Sequence, residues 1–207
     1  MDRPDCILRR RALAWLLIGV FPAMVHAADS APADASSAAA PTRSGRFADD
    51  PFAQGSRAVS VMVGASTDGA LGEIYATQIL TSYYPVENLA IECGGIFAYA
   101  ETKRTPPGAL GGPELGVSWH FAKGERWSTY LEALFGAVLQ QHPLAVNTLR
   151  FNFDLQPGAG ATYRLNDDTM IQGGFGWHHL SNCQVRGRRH NFGYDGPTLR
   201  IGLIRSF

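Results

Sequence analysis

A histidine, a serine two residues on and an acid a short way beyond stand near the C-terminal end of this 207-residue chain: His179, Ser181 and Asp195. A serine hydroxyl is a weak nucleophile until a base within hydrogen-bond reach takes its proton, and a histidine base needs an acceptor that fixes its tautomer. These residue types are therefore candidates for acyl transfer, with Ser181 as nucleophile, His179 as general base and Asp195 as the acid orienting it. The surrounding stretch, GWHHLSNCQVRGRRHNFGYDG (176–196), is dense in polar groups although IQGGF and PTLRIGLIRSF on either side read as strands. Whether the three side chains meet depends on the elements that carry them.

From Ala58 to the end the sequence alternates with a period of two and shows no convincing helix. In FNFDLQPGAGATYRL (151–165), Phe151, Phe153, Leu155, Ala159, Ala161 and Tyr163 fall on one face. Asn152, Asp154, Gln156, Gly158, Gly160 and Thr162 fall on the other. The same split recurs at 58–65, 88–100, 114–122 and 126–139. The segment 73–84 is strand-like with ambiguous facing, and 169–181 and 197–207 complete a set of eight.

Eight such strands fit a soluble sandwich or lipocalin with the apolar face inward, or a transmembrane barrel with that face toward lipid. Glycine crowds the polar face, as the cramped lumen of a small barrel requires. Aromatic residues gather near strand ends (Tyr83, Tyr84, Trp119, Phe121, Trp127, Phe151, Tyr163, Trp177), as interfacial girdles do, and the chain ends on Phe207. The expected fold is an all-β, eight-stranded antiparallel up-and-down transmembrane β-barrel over 51–207, although Arg205 departs from an apolar terminal strand. Joins at 85–87, 123–125 and 166–168 read as short, and those at 66–72, 101–112, 140–150 and 182–194 as long. Short turns face the periplasm in this class, which sends the 182–194 loop outside the cell.

Parity then gives the candidates a direction. Ile171, Gly173, Phe175 and Trp177 share a face with His179 and Ser181, while His178 opposes them; Leu199, Ile201, Leu203 and Phe207 share a face with Asp195. All three candidates are expected on the lipid side near the outer rim, with His178 and His120 lining the lumen. Residues i and i+2 on one strand face lie about 7 Å apart, so His179 and Ser181 can lean together. A plainer reading makes the cluster a polar rim among lipid head groups.

The N-terminus reads as an address. Arg9, Arg10 and Arg11 precede an apolar run at 12–25 and a Val25-His26-Ala27 cleavage pattern, so residues 1–27 are expected to leave as a signal peptide. Residues 28–50 are rich in Ala, Ser, Pro and Asp and read as a disordered linker. Removal of 1–27 takes four arginines and two aspartates from 18 basic and 18 acidic residues, leaving 14 and 16. That near-neutral balance argues against a nucleic-acid binder. Cys93 and Cys183 do not make a disulfide framework, and free or buried thiols are expected. No Cys/His spacing resembles a zinc site and no glycine-rich loop opens a helix, so neither a metal nor another cofactor is expected. The sequence leaves monomer and homodimer both open.

At His179-Leu180-Ser181-Asn182, Asn191-Phe192-Gly193-Tyr194-Asp195 and the final strand ending in Phe207, the chain resembles the PagL family of outer-membrane lipid A 3-O-deacylases. The resemblance is sharp over about 30 residues and architectural over the remaining barrel. It implies a bacterial outer-membrane serine esterase with Ser181, His179 and Asp195 in the roles above. It also implies that Asn182, Asn191 and Gly193 support the loop and the oxyanion site, and that the substrate is the 3-O-linked acyl ester of lipid A in lipopolysaccharide. The family's acid is usually Glu, and Cys183 and Gln184 stand where small residues are usual. Arg186, Arg188 and Arg189 are either a solvated loop or, since arginine binds phosphate bidentately, contacts to lipid head groups. Two rival readings stay open: an outer-membrane phospholipase, and a non-catalytic structural or adhesive barrel.

Overall fold

The computed structural model describes residues 50–207 apart from 186, 188, 189 and 192. The signal segment, the linker up to residue 49, the three arginines and Phe192 lie outside the described residues. Eight strands follow one another: β1 (Arg57–Asp68), β2 (Gly72–Val86), β3 (Leu89–Thr102), β4 (Gly108–Lys123), β5 (Trp127–Gln140), β6 (Phe151–Arg164), β7 (Thr169–Ser181) and β8 (Tyr194–Ser206). Each pairs antiparallel with the next, and β1 pairs with β8 to close the barrel. Closure leaves no strand edge, which matters because a backbone N–H or C=O facing hydrocarbon has no water to bond.

The alternation has the sense expected of a membrane protein. Val63, Phe97, Leu115, Phe135, Phe175 and Leu199 stand exposed on the outer wall, while Gln78, Glu114, Ser118, His120, Asp154 and Arg200 are buried in the lumen. The lumen is filled rather than open. At the long-loop end Leu71, Ile74, Ile96, Leu110, Val138, Leu144, Leu180 and Tyr194 form an apolar cluster. At the other end Phe52, Ala58, Tyr84, Ala90, Met170 and Ile204 form a second.

Between them lies a polar layer. Gln78 Nε2 donates to both Glu114 oxygens at 2.9 and 3.0 Å, Gln156 Nε2 donates to Asp154 at 2.9 Å, and Arg200 donates to Gln78 Oε1 at 3.2 Å and pairs with Glu132. Buried polar groups persist only when they satisfy one another, so this layer fixes how the strands face the barrel axis.

The structure departs from the expected boundaries at two joins. The join expected at 66–72 shrinks to 69–71, because the Asp68 carboxylate accepts the N–H groups of Ala70 and Leu71 and tightens the hairpin. Gly72 completes that turn at φ +128, where a Cβ would meet the Glu101 carbonyl oxygen at 2.0 Å. The join expected at 101–112 shrinks to 103–107: GALGGP enters β4 because its glycines let β3 and β5 approach closely. Tyr84, expected in an aromatic girdle, points inward and packs on Phe52. Both described cysteines are free, and both are exposed rather than buried.

Arg205 faces outward at the short-turn rim, where its guanidinium pairs with Asp168 at 3.1 Å. The Thr169 hydroxyl, with Arg205 behind it, holds the Asp168 carboxyl below the usual carboxylate range. A rim ion pair explains how a terminal strand tolerates this cation.

Removing one partner of a buried ion pair strands the other, so Arg200→Met is expected to destabilise the barrel by about 3–5 kcal/mol. Urea unfolding followed by tryptophan fluorescence measures it, and an unchanged midpoint would show that the luminal layer is not holding the strands.

Candidate active site

β7 and β8 position the acid and the base. In their register His179 lies directly opposite Asp195, Trp177 opposite Pro197 and Leu180 opposite Tyr194. His179 Nδ1 is 2.8 Å from Asp195 Oδ1, and both side chains are about one-third exposed on the outer wall. A carboxylate only accepts, so Nδ1 carries the proton and Nε2 is left as the basic nitrogen. A Cβ at Gly196, the next residue along β8, would meet the Thr67 carbonyl oxygen at 2.0 Å. Only glycine lets β1 close against β8 beside the acid.

Ser181 ends β7 two residues after His179, opposite Phe153 in the β6–β7 register. It is 9% exposed, and no hydrogen bond joins it to His179 among the described residues. Beside it on the outer wall, Phe153 stacks on Phe135 and meets Phe151 edge-on, which lays an apolar surface next to the hydroxyl. The structure thus brings His179 and Asp195 together and places Ser181 adjacent without joining it to the base.

The loop after Ser181 is held by asparagines. Asn182, 1% exposed, donates its backbone N–H to Asn191 Oδ1 at 2.9 Å and its Nδ2 to the His190 carbonyl at 2.6 Å, and accepts the Gln184 N–H at 3.0 Å. Those bonds hold Cys183 and Gln184 at φ 50 and 61, a left-handed conformation that side chains other than Gly, Asn and Asp seldom adopt. The His190 ring donates to the Asn147 carbonyl at 2.7 Å, tying this loop to the one between β5 and β6. Gly193 borders the pair: a Cβ there would meet Asp195 Oδ2 and His179 Cε1 at 3.6 Å, so glycine leaves the imidazole edge uncovered.

Two residues at the site were not singled out by sequence reasoning. Asp68 Oδ2 accepts the backbone N–H of Asp195 at 2.9 Å, and Trp177 Nε1 donates to Asp195 Oδ1 at 3.2 Å. Asp68 is 127 residues from Asp195, so only barrel closure brings them together. Trp177 shares the face of His179 and was legible by parity. His178 faces the lumen, where it shares a hydrogen bond with Ser66 Oγ at 2.9 Å and lies 3.2 Å from Asp154. No group of three or more His, Cys, Asp or Glu that could hold a metal occurs among the described residues.

No protein-family model matches the chain. No curated protein matches it either. Among solved structures it is similar to the Neisserial surface protein A, at 13% identity over 74% of this chain and 98% of that one, with a TM-score of 0.53. It is also similar to the N-terminal β-barrel domain of Pseudomonas aeruginosa OprF, at 14% identity over 73% and 98% with a TM-score of 0.43. A de novo designed transmembrane β-barrel matches at 19% identity over 74% and 97%, with a TM-score of 0.46. The likeness is one of fold: a transmembrane eight-stranded barrel.

Loss of a buried asparagine that makes three bonds frees its loop. Asn182→Ala is expected to raise amide hydrogen exchange at Cys183 and Gln184 by roughly tenfold or more. An exchange rate equal to that of the unaltered chain would show that the asparagine does not order this turn.

Proposed function

We propose that this barrel is a serine esterase of the bacterial outer membrane, acting on an acyl ester of a lipid in the outer leaflet. The observation that carries the reading is the His179–Asp195 contact of 2.8 Å on the lipid-facing wall, with Ser181 two residues along the same strand. Ionisable groups on a surface that meets lipid cost stability, and catalytic use gives a reason for keeping this pair there. The resemblance of HLSN and NFGYD to the lipid A deacylases narrows the substrate to the 3-O-linked acyl ester of lipid A. Longer loops face the cell exterior in barrels of this class, which supports reading the site's end as extracellular, where lipopolysaccharide lies.

The steps follow from the residues. His179 Nε2 takes the proton of Ser181 Oγ as the oxygen attacks the ester carbonyl carbon. Asp195 holds the imidazole through Nδ1–H and stabilises the imidazolium that forms. Collapse of the tetrahedral species breaks the bond to the alcohol oxygen, which takes the proton from Nε2. Water, activated by the same nitrogen, then releases the fatty acid and restores Ser181. Phe151, Phe153 and Phe135 offer the acyl chain an apolar wall, and Arg186, Arg188 and Arg189 supply cations for phosphate groups. The family resemblance assigns Asn182 and Asn191 to the developing oxyanion; Asn182 reaches that role only if its loop bonds rearrange. Hydrogen bonds at catalytic sites often lengthen without substrate, which reconciles the missing Ser181–His179 bond with this role.

A second reading, a non-catalytic barrel with a polar rim, draws support from that missing bond and from the burial of Ser181.

Lipid A from cells with and without the protein, compared by mass spectrometry, separates the readings. Loss of one 3-hydroxy acyl group is expected with the unaltered chain and none with Ser181→Ala, whose activity falls by about 10⁴–10⁶-fold. Free fatty acid drawn from glycerophospholipid instead marks a phospholipase, and unaltered lipids together with no labelling by a serine-directed fluorophosphonate probe mark the non-catalytic barrel. Asp195→Ala is expected to lose roughly 10²–10⁴-fold in kcat, less than Ser181→Ala; an unchanged rate would refute its orienting role.

A further inference from the structure

Trp177 stands two residues before His179 on β7 and shares its outward face. Its indole Nε1 donates to Asp195 Oδ1 at 3.2 Å, the same oxygen that His179 Nδ1 reaches at 2.8 Å. The contact is diagonal across the strand pair, since Trp177 is registered with Pro197 and His179 with Asp195. Diagonal neighbours lie about 7–8 Å apart at Cα, within reach of a long aromatic side chain. We propose that Trp177 is a positioning residue that aims the Asp195 carboxylate at His179, a reading that rests on the esterase assignment above.

Three physical points converge on it. An aspartate has a short arm, so its direction is set by the backbone and by whichever donors meet it. Asp68 Oδ2 secures the backbone by accepting the Asp195 N–H at 2.9 Å, and the indole secures the side chain. An indole N–H is a donor only, so Trp177 steadies the carboxylate without competing as a base for the proton that His179 must move. At the membrane surface a carboxylate has little water on its lipid side. An indole suits that place, with its ring among acyl chains and its N–H turned to a polar partner. The residue is 44% exposed, so it is not held there by core packing.

An aromatic residue that served only as an interfacial anchor would behave differently. Trp177→Phe keeps the ring and removes the donor. With a p-nitrophenyl acyl ester and the full chain in detergent micelles, Trp177→Phe is expected to lower kcat roughly tenfold with KM unchanged. In an Asp195→Ala background the same substitution is expected to cost nothing further, because its target is gone. An equal loss in both backgrounds, or a rise in KM alone, overturns the proposal.

The hydrogen bond itself is read without turnover. In ¹⁵N-indole-labelled Ser181→Ala protein, Asp195→Ala is expected to move the Trp177 N–H resonance upfield, that signal being identified by its disappearance in Trp177→Phe. A resonance that does not move overturns the proposal. If the unaltered chain hydrolyses no ester, the esterase reading falls, while the resonance still decides whether Trp177 holds Asp195.

Discussion

The closed ladder of backbone hydrogen bonds is the constraint on which the rest depends. In hydrocarbon an open strand edge leaves unsatisfied donors and acceptors, each costing several kcal/mol. β1 must therefore find β8, and from Ala58 opposite Ser206 to Ser66 opposite Thr198 it does so without a register shift. Closure satisfies both strand edges and, with the apolar face turned to lipid, leaves the usual arrangement of faces inside out.

Once the wall is closed, the lumen has to be filled. A narrow barrel cannot hold a large apolar core, so its centre holds Gln78, Glu114, Asp154, Gln156, Glu132 and Arg200 bonded to one another, capped at each end by an apolar cluster. The side chains that look most reactive in isolation, Glu114, Asp154 and His178, are consumed by this packing. His178 and His179 illustrate the division: adjacent in sequence, they point to opposite sides of the wall. One is locked to Ser66, and the other meets Asp195 near the membrane surface.

The outer wall then supplies what the site needs from parts distant in the chain. The β1–β2 turn contributes Asp68, β7 contributes Trp177, His179 and Ser181, and β8 contributes Asp195. The loop between β7 and β8 is folded on Asn182 and Asn191. Strands hold their side chains more rigidly than loops do, so the acid and base sit on β7 and β8 and the loop only borders them. Ser181, at the very end of β7, lies where strand gives way to loop.

Alternation alone determined that eight strands form, which face of every strand except 73–84 is apolar, and that His179, Ser181 and Asp195 share that face. A side-chain period of two survives any closure of the sheet. It also marked His120 and His178 as luminal. It could not place Tyr84, because aromatic residues suit both an interfacial girdle and an apolar plug, nor foresee the tight turn at 69–71, which depends on the Asp68 carboxylate. His179 and Asp195, expected only to share a face, are registered opposite each other and meet at 2.8 Å through strand pairing. Tertiary structure alone decided that Asp68 supports Asp195, that Trp177 reaches the same carboxylate, and that Ser181 stands beside the pair without being bonded to it. The reason is physical: parity assigns a side, but distances across a barrel wall are set by which strands close on which, and that pairing joins residues far apart in the chain.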